Sequence, residues 1–297
     1  MKKLITLLVC LLLVCTGCSS RHTETNEIVA TTAPVWQFTQ AVCEGTDLSV
    51  GLVVSDSVSC LHDYTLSVRQ MEAVEQAEVV VLSGCGLENF MEEILQNKNV
   101  CIDSSKGVSL LCTETGADHD HHDHDHAGHD HGEYDPHIWL DPDNAAVMTR
   151  NIAAGLSEQY PEYTEQFTEN AEAYCERLTV LKEDGQALLA DIQCRELITF
   201  HDGFTYFADA FGLAILAAIE EESGSEASAK ELEAIISLVY AHHVPAVFVE
   251  ENGSKSAASI IASETGCTTG MLNMIMSGTD YFEAMESNLQ SIKEGLS

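Results

Sequence analysis

The chain has little positive charge and almost no long apolar run. Thirteen Lys and Arg stand against 48 Asp and Glu in 297 residues, for a formal net charge of −35. A surface so acidic lacks the basic footprint that binding a phosphate backbone requires, which argues against nucleic-acid partners. It suits a cationic or neutral ligand. The single long apolar stretch, Leu4–Val14, is N-terminal, so a multi-span membrane protein is excluded. Beyond residue 18 the sequence has no Cys-x-x-Cys, and nowhere does it have a His-Glu-x-x-His or a Gly-x-Ser-x-Gly, the marks of thiol redox, zinc-peptidase and serine-hydrolase chemistry. Apolar content of 45% is nevertheless sufficient for real cores, and the length allows one large domain or two ordinary ones.

The N-terminus reads as an address. Lys2 and Lys3 precede the apolar run, which at eleven residues is too short to span a bilayer. It ends in Cys15-Thr16-Gly17-Cys18-Ser19-Ser20. Small residues before a Cys resemble the lipobox of bacterial lipoproteins, which makes Cys18 the expected lipidated first residue, with Cys15 where that pattern usually has Leu. Residues 1–17 are then a signal peptide and 18–27 a polar tether, and the protein is expected as a membrane-anchored lipoprotein at the cell surface or in the periplasm. Eight cysteines remain beyond Cys18. Their spacings are irregular and most sit in apolar stretches, so buried thiols are expected rather than a disulfide framework.

From Ile28 the pattern alternates. Ile28–Thr32, Leu48–Val54, Val79–Leu82 and Val100–Asp103 read as buried strands, with Met71, Val74 and Ala77 at helical spacing between them. Residues 28–142 are expected to form an N-terminal α/β lobe. Within it, residues 117–133 form a His- and Asp-rich insert without an apolar face, expected as a loop. Residues 143–192 read as helical: Ala145, Met148, Ile152 and Leu156 share a face, Pro161 interrupts, and Phe167, Ala171, Tyr174, Leu178, Leu181 and Leu188 mark a second seam. Residues 193–297 repeat the alternation, with strands at Glu196–Phe200, Leu213–Ile219 and Ala246–Glu250. Ser228-Ala229-Lys230-Glu231 is a capping box ahead of Leu232, Ile235, Ile236 and Val239; Gly266 is a helix terminator, and Phe282, Met285, Leu289 and Ile292 face one way on a last helix. The expected fold is α/β, two (β/α) lobes with parallel sheets joined by a long linking helix.

Thirteen histidines point to metal chemistry, since imidazole suits Zn²⁺, Cu²⁺ and Ni²⁺ better than the hard cations. Seven (His119, His121, His122, His124, His126, His129 and His131) lie in the insert. His62, His137 and His201 each sit beside hydrophobic anchors in separate stretches, and His201 follows a strand, where α/β sheets bind ligands. His242 and His243 end a helix and carry no metal assignment; His22 is in the tether.

Asp135-Pro136-His137-Ile138-Trp139-Leu140-Asp141-Pro142 and Phe200-His201-Asp202-Gly203-Phe204-Thr205-Tyr206-Phe207-Ala208 resemble two signatures of the metal-binding solute-binding proteins of ABC importers, the zinc/manganese cluster. Ala33-Pro34-Val35-Trp36, Leu82-Ser83-Gly84-Cys85-Gly86-Leu87-Glu88 and Ser228-Ala229-Lys230-Glu231-Leu232 fit the same family, in its order, from about Ile28 to the C-terminus. The resemblance implies one metal site in the cleft between lobes, with His62, His137 and His201 at ligand positions. His62 lies in Leu-His-Asp-Tyr-Thr, where the family often has Pro-His-x-Tyr-Glu. For the fourth ligand, Asp280 stands one step out of register with the Asp of manganese-type relatives and reads equally as a helix N-cap; water, Asp63 and Glu250 are the other choices.

Manganese-type relatives carry a carboxylate where this chain has His201, and three imidazoles with one oxygen favour zinc. The His-rich insert is also a zinc-type feature, and it is expected to bind further zinc weakly. Asp135 and Asp202 are candidate acceptors for the ligand imidazoles. The expected function is an extracytoplasmic receptor, monomeric and not an enzyme, that captures Zn²⁺ and hands it to an ABC permease and its ATPase. A manganese receptor or adhesin of the same fold is the alternative, and a secreted zinc hydrolase a distant one.

Overall fold

In a computed structural model, residues 26–55, 61, 64–98, 100–111, 134–219, 227–250 and 255–297 are described. The strands fall where apolar runs put them. β1 (Ile28–Ala30), β2 (Val50–Leu52), β3 (Val79–Leu82) and β4 (Cys101–Asp103) form one sheet in the order β2-β1-β3-β4; every pair is parallel. β5 (Glu196–Thr199), β6 (Ala214–Ala218), β7 (Ala246–Glu250) and β8 (Thr268–Leu272) form a second parallel sheet in the order β6-β5-β7-β8. Seven of these eight strands match the sequence expectation to within a residue or two at each end. β8 was not foreseen: Thr-Thr-Gly-Met-Leu has no apolar run, because it is an edge strand with only Leu272 buried.

Both orders place the start of the lobe in the middle of its sheet. The chain leaves β1 for one neighbour and returns for the other, so β1 and β3 flank a switch point; β5 and β7 flank its counterpart. Parallel sheets bind ligands outside the carboxyl ends of strands at such points.

The helices are α1 (Ala33–Val42), α2 (Val68–Gln76), α3 (Glu92–Leu95), α4 (Pro142–Gln159), α5 (Thr164–Leu188), α6 (Thr205–Ala210), α7 (Ala229–His242), α8 (Lys255–Thr265) and α9 (Tyr281–Leu296). Their starts follow local chemistry. Ser67 and Ser228 both form full capping boxes, and Asp141 caps α4 with Pro142 as its first residue. Gly266 ends α8 at φ +79°.

The 25 residues of α5 span about 37 Å at 1.5 Å per residue. Phe167 and Leu178 are fully buried, and Ala171, Tyr174 and Leu181 nearly so. Leu188 is 37% exposed, contrary to the expected seam; Gly185, packed under Phe211 and Leu289, and Leu189 close the stripe instead. The ring of Tyr174 meets Phe38 of α1 at 5.8 Å and Phe282 of α9 at 5.1 Å. Arg177 covers Phe282 with its guanidinium 3.8 Å from the ring centroid. One helix thereby carries elements of both lobes. Lys182 binds Asp141 (2.9 Å) and Asp143 (2.7 Å), fixing the start of α4 to α5.

Among the described residues, six cysteines are free thiols: Cys43 and Cys175 are buried, Cys85, Cys194 and Cys267 half-buried, and Cys101 exposed. Burial pushes the Cys43 thiol up to about 12. Cys60 and Cys112 lie outside the described residues, as do Cys18 and the rest of residues 1–25. No helix among the described residues is long and apolar enough to cross a membrane.

Candidate metal centre

His137 is held by its own neighbours. Pro136 and Pro142 bracket a short 3₁₀ turn, Ile138–Leu140, whose three side chains are fully buried. Asp135 is completely buried, and one of its oxygens accepts from the backbone N–H of His137 at 2.8 Å and from Nδ1 at 2.7 Å. An ionised carboxylate only accepts, so Nδ1 carries a proton, and in the neutral ring Nε2 is the nitrogen left with a lone pair. Burial alone would raise the Asp135 pKa, but the adjoining imidazole and the two His137 hydrogen bonds outweigh it and hold the carboxyl below its ordinary value. Trp139 anchors the turn to the other lobe: its Nε1 donates to the Met274 carbonyl at 2.9 Å, and its carbonyl accepts from the Tyr281 hydroxyl at 2.8 Å.

His201 leaves the carboxyl end of β5, at the switch point. The Thr199 hydroxyl donates to the His201 carbonyl at 2.9 Å and closes the turn. The rings of His137 and His201 lie 5.4 Å apart, centroid to centroid, at 82°. Two imidazoles on one tetrahedral ion, with Zn–N bonds of about 2.0–2.1 Å, would have centroids about 5.2 Å apart. The centroid separation of the observed pair is compatible with a shared zinc.

Gly203 makes this approach possible. A Cβ there would sit 2.9 Å from both Nδ1 and Cε1 of His137 and 2.6 Å from the Met274 methyl. No larger residue fits without displacing the ring. Glu250, the last residue of β7, is 6% exposed and brings Oε1 to 3.4 Å from Nδ1 of His201.

On the other sheet, Thr31, Thr32, Ser83 and Glu88 are buried beyond the ends of β1 and β3. Glu88 accepts from the Thr31 hydroxyl (2.6 Å), Ser83 N–H (2.7 Å) and Gly84 N–H (3.1 Å), bracing a turn in which Gly84, Cys85 and Gly86 all have positive φ. Burial pushes its carboxyl above the ordinary value despite these donors.

The other expected site residues separate into two groups. His62 and Asp63 lie outside the described residues, between Leu61, buried in the core, and Tyr64, whose ring packs on Phe90 at 5.6 Å. The insert histidines His119, His121, His122, His124, His126, His129 and His131 also lie outside them. Asp280 is exposed and caps α9, one oxygen accepting from Phe282 N–H (3.0 Å) and Glu283 N–H (3.1 Å). Its charge, after burial, contributes to raising the Tyr174 phenol on α5. Among the described residues, no three His, Cys, Asp or Glu side chains converge as a metal-ligand cluster. His242 pairs with Glu196 at 3.0 Å at the end of α7.

Sequence reading named Glu250 only as one choice of ligand and did not single out Gly203. The available signal for Glu250 was a charged residue closing an otherwise apolar strand, where burial demands a partner. Nothing in the sequence alone marks a close backbone approach such as that at Gly203.

Known proteins give a consistent picture. The zinc-binding protein AdcA of Streptococcus pyogenes serotype M6 is 30% identical over 288 residues, covering 90% of this chain and 55% of the relative. The zinc-binding lipoprotein AdcA of Streptococcus pneumoniae serotype 4 is 30% identical over 281 residues, with the same coverage. The chain thus spans about half the length of these curated relatives. A crystal structure of ZnuA superposes with a TM-score of 0.77 at 26% identity, over 92% of this chain and all of the other. The Zn(II)-bound ZnuA-like domain of S. pneumoniae AdcA gives 0.75 at 27%, over 92% and 99%. Residues 28–295 match the family described as ZnuA, zinc-uptake complex component A, periplasmic, and the protein belongs to that family.

Proposed function

We propose that the protein is an extracytoplasmic receptor that captures Zn²⁺ between its lobes and delivers it to an ABC permease driven by a partner ATPase. The observation that carries this reading is the His137–His201 pair, one ring from each lobe, 5.4 Å apart. His62 is the proposed third imidazole, and an oxygen completes the set. For Asp280 to supply that oxygen, its carboxylate would have to leave the cap of α9, so water is the simpler donor. Three nitrogens favour zinc over manganese, which prefers oxygen. The AdcA relatives, named as zinc-binding, support the same choice.

The ion is cargo, and the protein makes and breaks no covalent bond in it. Release follows docking on the permease if the docked state binds zinc more weakly than the free state; only such a difference can shift the metal. Because the coordinating nitrogens must be unprotonated, affinity falls below about pH 6.5. Cys18 is the proposed lipid anchor, the chain acts as a monomer, and the His-rich insert collects zinc weakly near the cleft.

Zinc titration of the mature chain tests the reading. One tight zinc per chain, lost in His137→Ala and His201→Ala, is expected. Absence of a tight site in the wild type, or wild-type affinity retained in either variant, contradicts it. Steady turnover of a simple ester or phosphate by the zinc-loaded chain would favour a hydrolase instead.

A further inference from the structure

We infer that Glu250 is a positioning residue for His201: its carboxylate accepts from the Nδ1–H, so that the ring presents Nε2 to the zinc, and it does not itself bind the ion. This inference rests on the zinc-receptor reading above.

Both imidazoles face a buried carboxylate, one in a hydrogen bond and the other across a longer ion-pair contact. His137 has a buried carboxylate, Asp135, on its Nδ1 at 2.7 Å. His201 has a buried carboxylate, Glu250, facing its Nδ1 at 3.4 Å. The first comes from the same turn as its histidine. The second comes from β7, the strand beside β5, across the switch point of the second sheet. Nε2 of His201 is buried as well, so the ring presents it to the interior of the site rather than to bulk water.

Direct coordination by Glu250 fits less well. Its oxygen faces the ring nitrogen opposite in role to the one His137 leaves bare. A carboxylate that accepts the far N–H of a metal-bound imidazole fixes the tautomer and strengthens the nitrogen as a ligand.

The 0.7 Å difference between the two contacts has a consequence. Zinc on Nε2 draws electron density from the ring and makes Nδ1–H a stronger donor. The His201–Glu250 contact should therefore shorten on loading, from 3.4 Å toward the 2.7–2.9 Å of a charge-assisted bond.

The test uses the mature chain with Glu250→Gln, which keeps an acceptor oxygen, and Glu250→Ala, which has none. In ¹⁵N-labelled metal-free protein, long-range ¹H–¹⁵N spectra should show His201 with its proton on Nδ1 in wild type and Glu250→Gln, and a mixture of tautomers in Glu250→Ala. Zinc affinity should fall about 10–100-fold in Glu250→Ala, with most of it restored in Glu250→Gln. The Co²⁺ d–d spectrum should keep its bands in both variants, because the set of donor atoms is unchanged. An unaltered His201 tautomer in Glu250→Ala overturns the inference, as does a Co²⁺ spectrum showing the loss of an oxygen ligand in both variants. If the tautomers behave as stated but wild type binds no zinc tightly, the receptor reading fails and the positioning role stands.

Discussion

A single oxygen of Asp135 accepts two hydrogen bonds from His137, one from the backbone at 2.8 Å and one from Nδ1 at 2.7 Å. The side chain and the main chain of the ligand are thereby locked by one buried carboxylate, before any metal arrives.

Asp135→Asn keeps the shape and removes the charge. The amide can accept through its oxygen, but it no longer strengthens the imidazole as an electron donor. Tight-site zinc affinity should drop, but by less than the about 10–100-fold that losing the acceptor outright costs, read by competition with a chromophoric chelator. An unchanged affinity would show that the Asp135–His137 contact is structural only.

Gly203→Ala places a methyl 2.9 Å from the His137 ring. The ring or the turn must move, at a cost of about 1–3 kcal/mol in denaturant unfolding. Metal affinity should fall more steeply than stability, because a displacement of well under an ångström already spoils coordination geometry. A variant destabilised without any loss of zinc affinity would contradict the close-approach role.

Lys182 makes a pH-dependent prediction away from the site. Burial lowers its pKa, but its bonds to Asp143 and Asp141 outweigh that and leave it above the ordinary value of 10.5. A raised lysine pKa stabilises the fold fully below the unfolded value and ceases to do so as pH rises through the folded one. Lys182→Met should therefore cost about 1–2 kcal/mol at pH 8, and the difference from wild type should shrink above pH 10.5. Urea melts of both proteins at the two pH values decide it; a difference that grows with pH would refute the assignment.

The architecture was legible because buried parallel strands are short apolar runs and α4, α5 and α9 carry clear apolar stripes. Ala145, Met148, Ile152 and Leu156, which define the face of α4, are all fully buried. Local chemistry announced the helix starts at Ser228 and Asp141. What failed to show was of a different kind. β8 lies on a sheet edge, so its burial pattern carries no period. Leu188 has the right spacing for the α5 seam, but the helix ends there and the core is closed by Leu189. At the site, His137 and His201 stood out through the motifs around them, whereas Glu250 and Gly203 gain their roles only from the pairing of β5 with β7 and from the packing of one turn on another.

Deleting residues 118–132 tests the insert apart from the cleft. The tight site should keep its affinity while the weaker zinc equivalents disappear, and uptake at limiting zinc should fall. Unchanged uptake would make the insert a spacer.

The central claim is a single ion shared by imidazoles of distant stretches. Anomalous diffraction at the zinc edge from zinc-loaded crystals tests it most directly. The account predicts one strong peak per chain between the lobes, about 2.0–2.1 Å from one ring nitrogen each of His62, His137 and His201. A zinc peak that leaves either His137 or His201 out of its coordination sphere would contradict it.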